Sequence, residues 1–165
     1  MTTTAPDIVQ VSADAWHEQG WDASATAVAA GVELSLASRR WQVAIDRRLR
    51  RFDLTFSRYE VLMRLLFTEP GSRGVAELGF LLQVHATSIS NAVSRLEGSG
   101  YVSVSPNRRD GRRLDVVLTP LGRETALVAT TVLNESVFAR IPLDAGDVGT
   151  LMHVLARFRA NAGDF

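Results

Sequence analysis

The sequence predicts a mainly α-helical fold with a small β-hairpin wing, an α+β chain in which helices dominate. Three observations predict it. Apolar residues recur at helical spacing through most of the 165 residues. That spacing gives way to residue-by-residue alternation between Val102 and Leu118. Asp110-Gly111 stands between the two alternating runs, and both residue types tolerate the positive φ of a tight hairpin turn.

Taken in order, residues 1–22 show no sustained period and read as an arm or short helix carrying Trp16 and Trp21. From Ala23 to Phe52 the period is helical. Leu34, Ala37, Trp41, Ala44, Ile45 and Phe52 share one stripe, and Arg39, Arg47, Arg50 and Arg51 lie mostly off it. Asp53 and Leu54 end that helix. In "TFSRYEVLMRLLF", Ser57 and Glu60 have the spacing of a capping box, ahead of an apolar face of Val61, Leu62, Leu65 and Leu66. "EPGSRG" then stops the helix.

Two short helices follow, over 75–82 and 86–98, separated by "QVHA". Leu78, Leu81 and Leu82 are apolar on the first. On the second, Ile89, Val93 and Leu96 form one buried stripe, and Thr87, Ser88, Ser90, Asn91, Ser94 and Arg95 occupy the opposite face. Gly98 and Gly100 close it. The hairpin strands come next, with four arginines, Arg108, Arg109, Arg112 and Arg113, around the Asp110-Gly111 turn. Thr119-Pro120 opens a further helix, Thr as N-cap and Pro in the first turn. It runs to about Ala139 and is apolar over much of its circumference. Asp144 caps a last helix, on which Val148, Leu151, Met152, Leu155 and Phe158 make a narrow stripe. Apolar helices at both ends of a chain this size suggest a subunit interface; packing within one core is the alternative.

Composition narrows the function classes. Hydrophobic residues make up 46% of the chain and charged residues 22%, ordinary for a globular domain. No run approaches the roughly 18 apolar residues of a membrane span. "MTTTAPDIVQVSADAW" lacks the basic start and apolar run of a secretory signal, so a cytoplasmic location is expected. With no cysteine there is no disulfide, thiolate nucleophile or cysteine-based zinc site. His17, His85 and His153 have no metal-ligand spacing, and neither a metal nor a cofactor is expected. The glycine and serine motifs of nucleotide-binding and hydrolytic enzymes are missing, so no enzyme is expected.

The net charge of zero hides an asymmetry. Residues 1–38 hold Asp7, Asp14, Glu18, Asp22 and Glu33 and no Arg or Lys. Residues 39–64 hold Arg39, Arg40, Arg47, Arg48, Arg50, Arg51, Arg58 and Arg64 against Asp46, Asp53 and Glu60. Local fields of this kind steer an anionic partner at zero net charge.

A helix, a tight turn, a polar-faced helix and a hairpin with a basic tip make a winged helix-turn-helix. Short polar side chains on the second helix suit a major groove, because long ones would hold the backbone off the base edges. Guanidinium groups on the wing suit phosphates or a narrow minor groove. The competing readings are a solvated surface hairpin, or a winged-helix module for protein–protein contact without specific DNA binding.

"LTFSRYEVLMRL", "VAELGFLLQVHATSISNAVSRLEGSGYV" and "RRDGRRLDVVLTPLG" resemble the MarR family of dimeric bacterial transcription regulators. The likeness runs over residues 30–139, and its most specific piece is Asp110 and Arg112 followed by "VVLTPLG". It implies terminal helices, residues 23–56 and 119–165, that interlace in a homodimer, around a DNA-binding lobe at 57–118. It implies that Arg112 enters the minor groove, held by Asp110, and that Arg108, Arg109 and Arg113 meet phosphates. The partner would be double-stranded DNA with a pseudo-palindromic operator. It further implies release by a small aromatic or phenolic ligand, for which the candidates are Trp16, His17, Trp21, Trp41, Arg58, Tyr59 and His85. The chain departs from the family pattern where Ser103 and Val104 replace a charged residue, and where His85 replaces serine at the start of the recognition helix. His85 has two readings, a local helix-start residue or a phosphate or effector contact. The lack of cysteine sets aside the branch that senses peroxide by thiol oxidation.

Overall fold

The computed structural model describes residues 6–69, 71–107, 110 and 113–161. Its elements are α1 (Ile8–Glu18), α2 (Asp22–Leu49), α3 (Phe56–Leu66), β1 (Ser72–Gly74), α4 (Val75–Leu82), α5 (Ala86–Gly98), β2 (Val102–Pro106), β3 (Leu114–Leu118), α6 (Pro120–Ser136) and α7 (Ala145–Asn161). Short 3-10 turns follow α2 at Arg50–Phe52 and α6 at Phe138–Arg140. No described helix is long and apolar enough to cross a membrane.

Residues 1–22 resolve their open reading in favour of a helix over Ile8–Glu18, capped by Asp7, whose carboxylate accepts from Val9 N at 3.0 Å. Gly20, at φ 76°, makes the break before α2. The predicted stripe of α2 divides in two. Ile45 is fully buried and Trp41 packs on the core, whereas Leu34 is 41% exposed; Leu49, which the stripe did not include, is also fully buried.

One cap and one strand differ from the sequence reading. The N-cap of α3 is Thr55, in extended conformation, whose hydroxyl accepts from Arg58 N; Ser57 lies inside the helix, so it forms no capping box with Glu60. Asp46 on α2 accepts a further bond from Phe56 N at 2.6 Å, which fixes where α3 begins. "SRG", read as helix-stopping loop, forms β1. Three residues without apolar alternation carry no strand signal. They pair because β3 offers its free edge, with Ser72 opposite Val117 and Gly74 opposite Asp115.

The sheet is antiparallel in the order β1-β3-β2, and the hairpin register sets Val104 opposite Val116 and Val102 opposite Leu118. Val116 and Val102 face the core, and Leu114 emerges toward the wing tip at 49% exposure. Leu62 and Leu65 of α3, Leu78 of α4, Ile89 and Leu96 of α5 and Leu133 of α6 complete one cluster, each at most 2% exposed. Burying six such side chains is worth roughly 1.5–3 kcal/mol each before chain entropy is counted. This cluster gives the lobe a rigid base.

Candidate nucleic-acid interface

Helix α5 behaves as its two stripes require. Ile89, Val93 and Leu96 are buried, while Thr87, Ser88, Ser90, Asn91, Ser94 and Arg95 are all exposed. The inner stripe anchors the helix on α3 and α4, so its outer face presents hydroxyl and amide groups on a fixed backbone. Such groups hydrogen-bond base edges at short range.

His85 is the N-cap of α5. Its Nδ1 accepts from Thr87 N at 3.3 Å, a role that serine fills with its hydroxyl elsewhere. This is the local reading of His85, with Nε2 carrying the proton in the neutral ring. Before it, Gln83 closes α4 in the left-handed region at φ 52°, which makes the tight turn between the two helices.

The wing is built by side chains that the charge pattern did not single out. Asn107 donates to both carboxylate oxygens of Asp115, at 3.0 and 2.9 Å, and its Oδ1 accepts from Asp110 N at 3.0 Å. Asn107 N donates to Arg113 O at 2.8 Å. Asp110 pairs with Arg113, Nε to Oδ2 at 3.2 Å. An Asx side chain that bonds its own turn backbone is the available sequence signal, and "SPN" before the arginines carried it. Glu97 on α5 accepts from Val104 N at 3.1 Å and so joins helix to wing. Arg108, Arg109 and Arg112 lie outside the described residues.

An open groove of about 1530 Å³ runs between α4, α5 and the wing, with Ser90, Ser94, Asn107 and Arg113 among its lining. Helix face and wing therefore border one concavity. Among the described residues no group of three or more His, Asp or Glu is placed to hold a metal.

The candidate effector residues fall into separate groups. Trp16 and Trp21 meet edge to face at 5.5 Å, beside a hydrogen-bonded contact between His17 Nδ1 and Asp22 Oδ1. Trp41 stacks on Phe138 at 5.7 Å. Tyr59 is 6% exposed and bonds Thr130 at 2.8 Å across α3 and α6. Arg58 bonds Thr55 and approaches Asp53 at 3.8 Å. His85 sits at the start of α5, apart from the tryptophans.

Comparison with known proteins matches this arrangement. A family model described as the MarR family matches residues 52–113, from the turn after α2 to the end of the wing turn before β3. Sco5413, a MarR family transcriptional regulator from Streptomyces coelicolor, has a similar solved structure. Its TM-score is 0.78 at 34% identity, over 85% of this chain and 97% of its own. A mutant MarR from E. coli, solved in complex with operator DNA, has a TM-score of 0.71 at 22% identity, over 77% of this chain and 91% of its own. YdcH of Bacillus subtilis (strain 168), an uncharacterized HTH-type transcriptional regulator, is 25% identical over 122 residues, 73% of this chain and 81% of that protein. With a relative 34% identical across nearly its whole length, and a polar-faced helix set beside a wing, the chain belongs to the MarR family of transcription regulators and is not an enzyme.

Proposed function

We propose that the protein is a homodimeric, sequence-specific DNA-binding repressor, acting in the cytoplasm and released by a small aromatic or phenolic ligand. One observation carries the DNA reading: six exposed polar residues of α5 lie back to back with a fully packed apolar stripe, next to the wing. The relative from E. coli bound to operator DNA supports it.

In this reading Thr87, Ser88, Ser90, Asn91, Ser94 and Arg95 face the major groove. Arg112 enters the minor groove, and Arg108, Arg109 and Arg113 meet phosphates. Residues 57–118 form the DNA-binding lobe, and residues 23–56 and 119–165 form the dimer. Exposed Val43 on α2 and Met152, Val154 and Phe158 on α7 supply apolar surface for that contact, and each is at least half exposed in the protomer. Two lobes then address half-sites about 10 bp apart.

The test is binding to DNA upstream of the protein's own gene across a salt series, with Arg112→Ala alongside. Preference for that DNA over random duplex, and a loss of roughly 1–3 kcal/mol in Arg112→Ala, are expected. A wild type without preference sinks the regulator reading. Equal binding by Arg112→Ala sinks the wing assignment. A protein–protein module predicts weak binding without sequence preference.

The effector reading assigns Trp16, His17, Trp21, Trp41, Arg58, Tyr59 and His85 to an aromatic anion. Benzoate titrated into the complex is expected to release DNA and quench tryptophan fluorescence together. Release without quenching removes the tryptophans from the site.

A further inference from the structure

At the end of α2 the backbone adopts a conformation uncommon outside glycine, which Asp and Asn visit more readily than other residues. Asp53 has φ 52° and ψ 34°, the left-handed region, where a side chain meets a steric cost that glycine does not. Its carboxylate accounts for its presence. Oδ2 accepts from Ser99 Oγ at 3.1 Å, and Oδ1 lies 3.8 Å from Arg58 Nη1. The residue before it does the same with its carbonyl: Phe52 O accepts from Tyr101 Oη at 2.9 Å.

Ser99 and Tyr101 flank Gly100, directly behind the last turn of α5. Two consecutive residues at the α2–α3 junction therefore hold the two side chains at the exit of α5. The other end of that helix is held by the His85 cap, and its middle by Ile89, Val93 and Leu96. Asp53 also borders two clefts with Asn91 and Arg95, of about 420 and 740 Å³. A carboxylate there repels phosphate, so Asp53 gains nothing as a direct DNA contact. The hydrogen bond it accepts from Ser99 and its ion pair with Arg58 are what it contributes.

We propose that Asp53 is a positioning residue for DNA recognition. With Phe52 it staples the exit of α5 to the end of α2 and so sets the angle at which Ser90, Asn91 and Ser94 are presented. This rests on α5 being the DNA-facing helix.

Two substitutions separate the side chain's bonds from its backbone strain. Asp53→Gly removes the carboxylate and relieves the left-handed cost. Asp53→Asn keeps a residue type that tolerates the conformation, and an amide oxygen that accepts from Ser99. Each is measured for thermal unfolding, for amide exchange of residues 94–101 in the free protein, and for affinity toward the upstream DNA. Asp53→Gly is expected to unfold at or above the wild-type temperature, yet exchange faster at 94–101. It should bind that DNA about threefold to tenfold more weakly, the worth of one solvent-exposed hydrogen bond. Asp53→Asn should recover most of both losses, and Tyr101→Phe should repeat their direction.

Wild-type protection and affinity in Asp53→Gly overturn the proposal. So does a clear drop in its unfolding temperature, which makes Asp53 a stability residue, or a failure of Asn to rescue. If the wild type itself shows no DNA preference, the regulator reading fails separately, and the exchange comparison still decides whether the staple exists.

Discussion

In the winged lobe, Leu62, Leu65, Leu78 and Val116 are completely buried, and β1, β2 and β3 close over α3, α4 and α5. Helix α7 buries none of its residues and carries Leu151, Met152, Val154 and Phe158 at 42–67% exposure. Helix α1 also buries none, and shows Ile8 and Val11. Both regions have helical apolar stripes in sequence. The difference is whether the same protomer supplies the opposing surface. The lobe closes its core within the protomer, with Ile45 and Leu49 of α2 and Leu133 of α6 built into it, whereas α1 and α7 keep apolar side chains exposed, the composition of half a core.

The sharpest way to break this contrast is a cavity in the lobe. Leu65→Ala leaves a void among fully buried neighbours and should cost about 2–5 kcal/mol in thermal or urea unfolding. A loss under ~1 kcal/mol means that the lobe's core is looser than its burial says. The next effect lies at the seam between lobe and α6. A Cβ on Gly122 would stand 1.9 Å from Tyr101 O and 3.1 Å from Leu118 Cδ1. Backbone cannot retreat as a flexible side chain does, so Gly122→Ala should destabilise by roughly 1–3 kcal/mol, read by the same unfolding curves.

The terminal helices predict the opposite signature. Met152→Glu, on a residue 67% exposed in the protomer, should weaken self-association at least about tenfold, ~1.4 kcal/mol, by sedimentation equilibrium. Diluted until both are monomers, variant and wild type should unfold at the same temperature. An unchanged association constant removes α7 from the proposed dimer contact.

The smallest effect is electrostatic. Burial on α3 raises the Glu60 carboxyl above its ordinary value, partly offset by the Arg64 guanidinium. A raised carboxylate binds protons more readily folded than unfolded. Its contribution therefore favours the fold at low pH and is lost as pH climbs from about 4.5 through the raised value. Glu60→Gln should thus stabilise slightly at pH 7. Solvent screening of this partly exposed group keeps the gain within ~0.5 kcal/mol. The gain should fade when unfolding is repeated near pH 4; a gain that persists there has another cause.

What was legible follows the range of the forces involved. The stripes of α5 were readable because Ile89, Val93 and Leu96 share a face by helical geometry alone, whatever they pack against. The hairpin was readable for the same reason, since the alternation of its strands is local; Gly111 of the expected turn lies outside the described residues. The cap of α3 was misplaced by two residues because Asp46, ten positions earlier, bonds Phe56 N and selects Thr55. Strand β1 was missed because its bonds come from β3, more than forty residues later.

Sequence by itself determined the main helices and the hairpin strands, the polar face of α5 and the family, because side-chain period and turn chemistry act within a few residues. Only tertiary structure decided that the α2 stripe is half core and half exposed, that Asn107 and Asp115 brace the wing, and that Phe52 and Asp53 grip Ser99 and Tyr101. Those contacts join residues eight positions apart in the wing and more than forty apart between the end of α2 and the exit of α5. Their energies depend on a geometry that exists only once the core has closed.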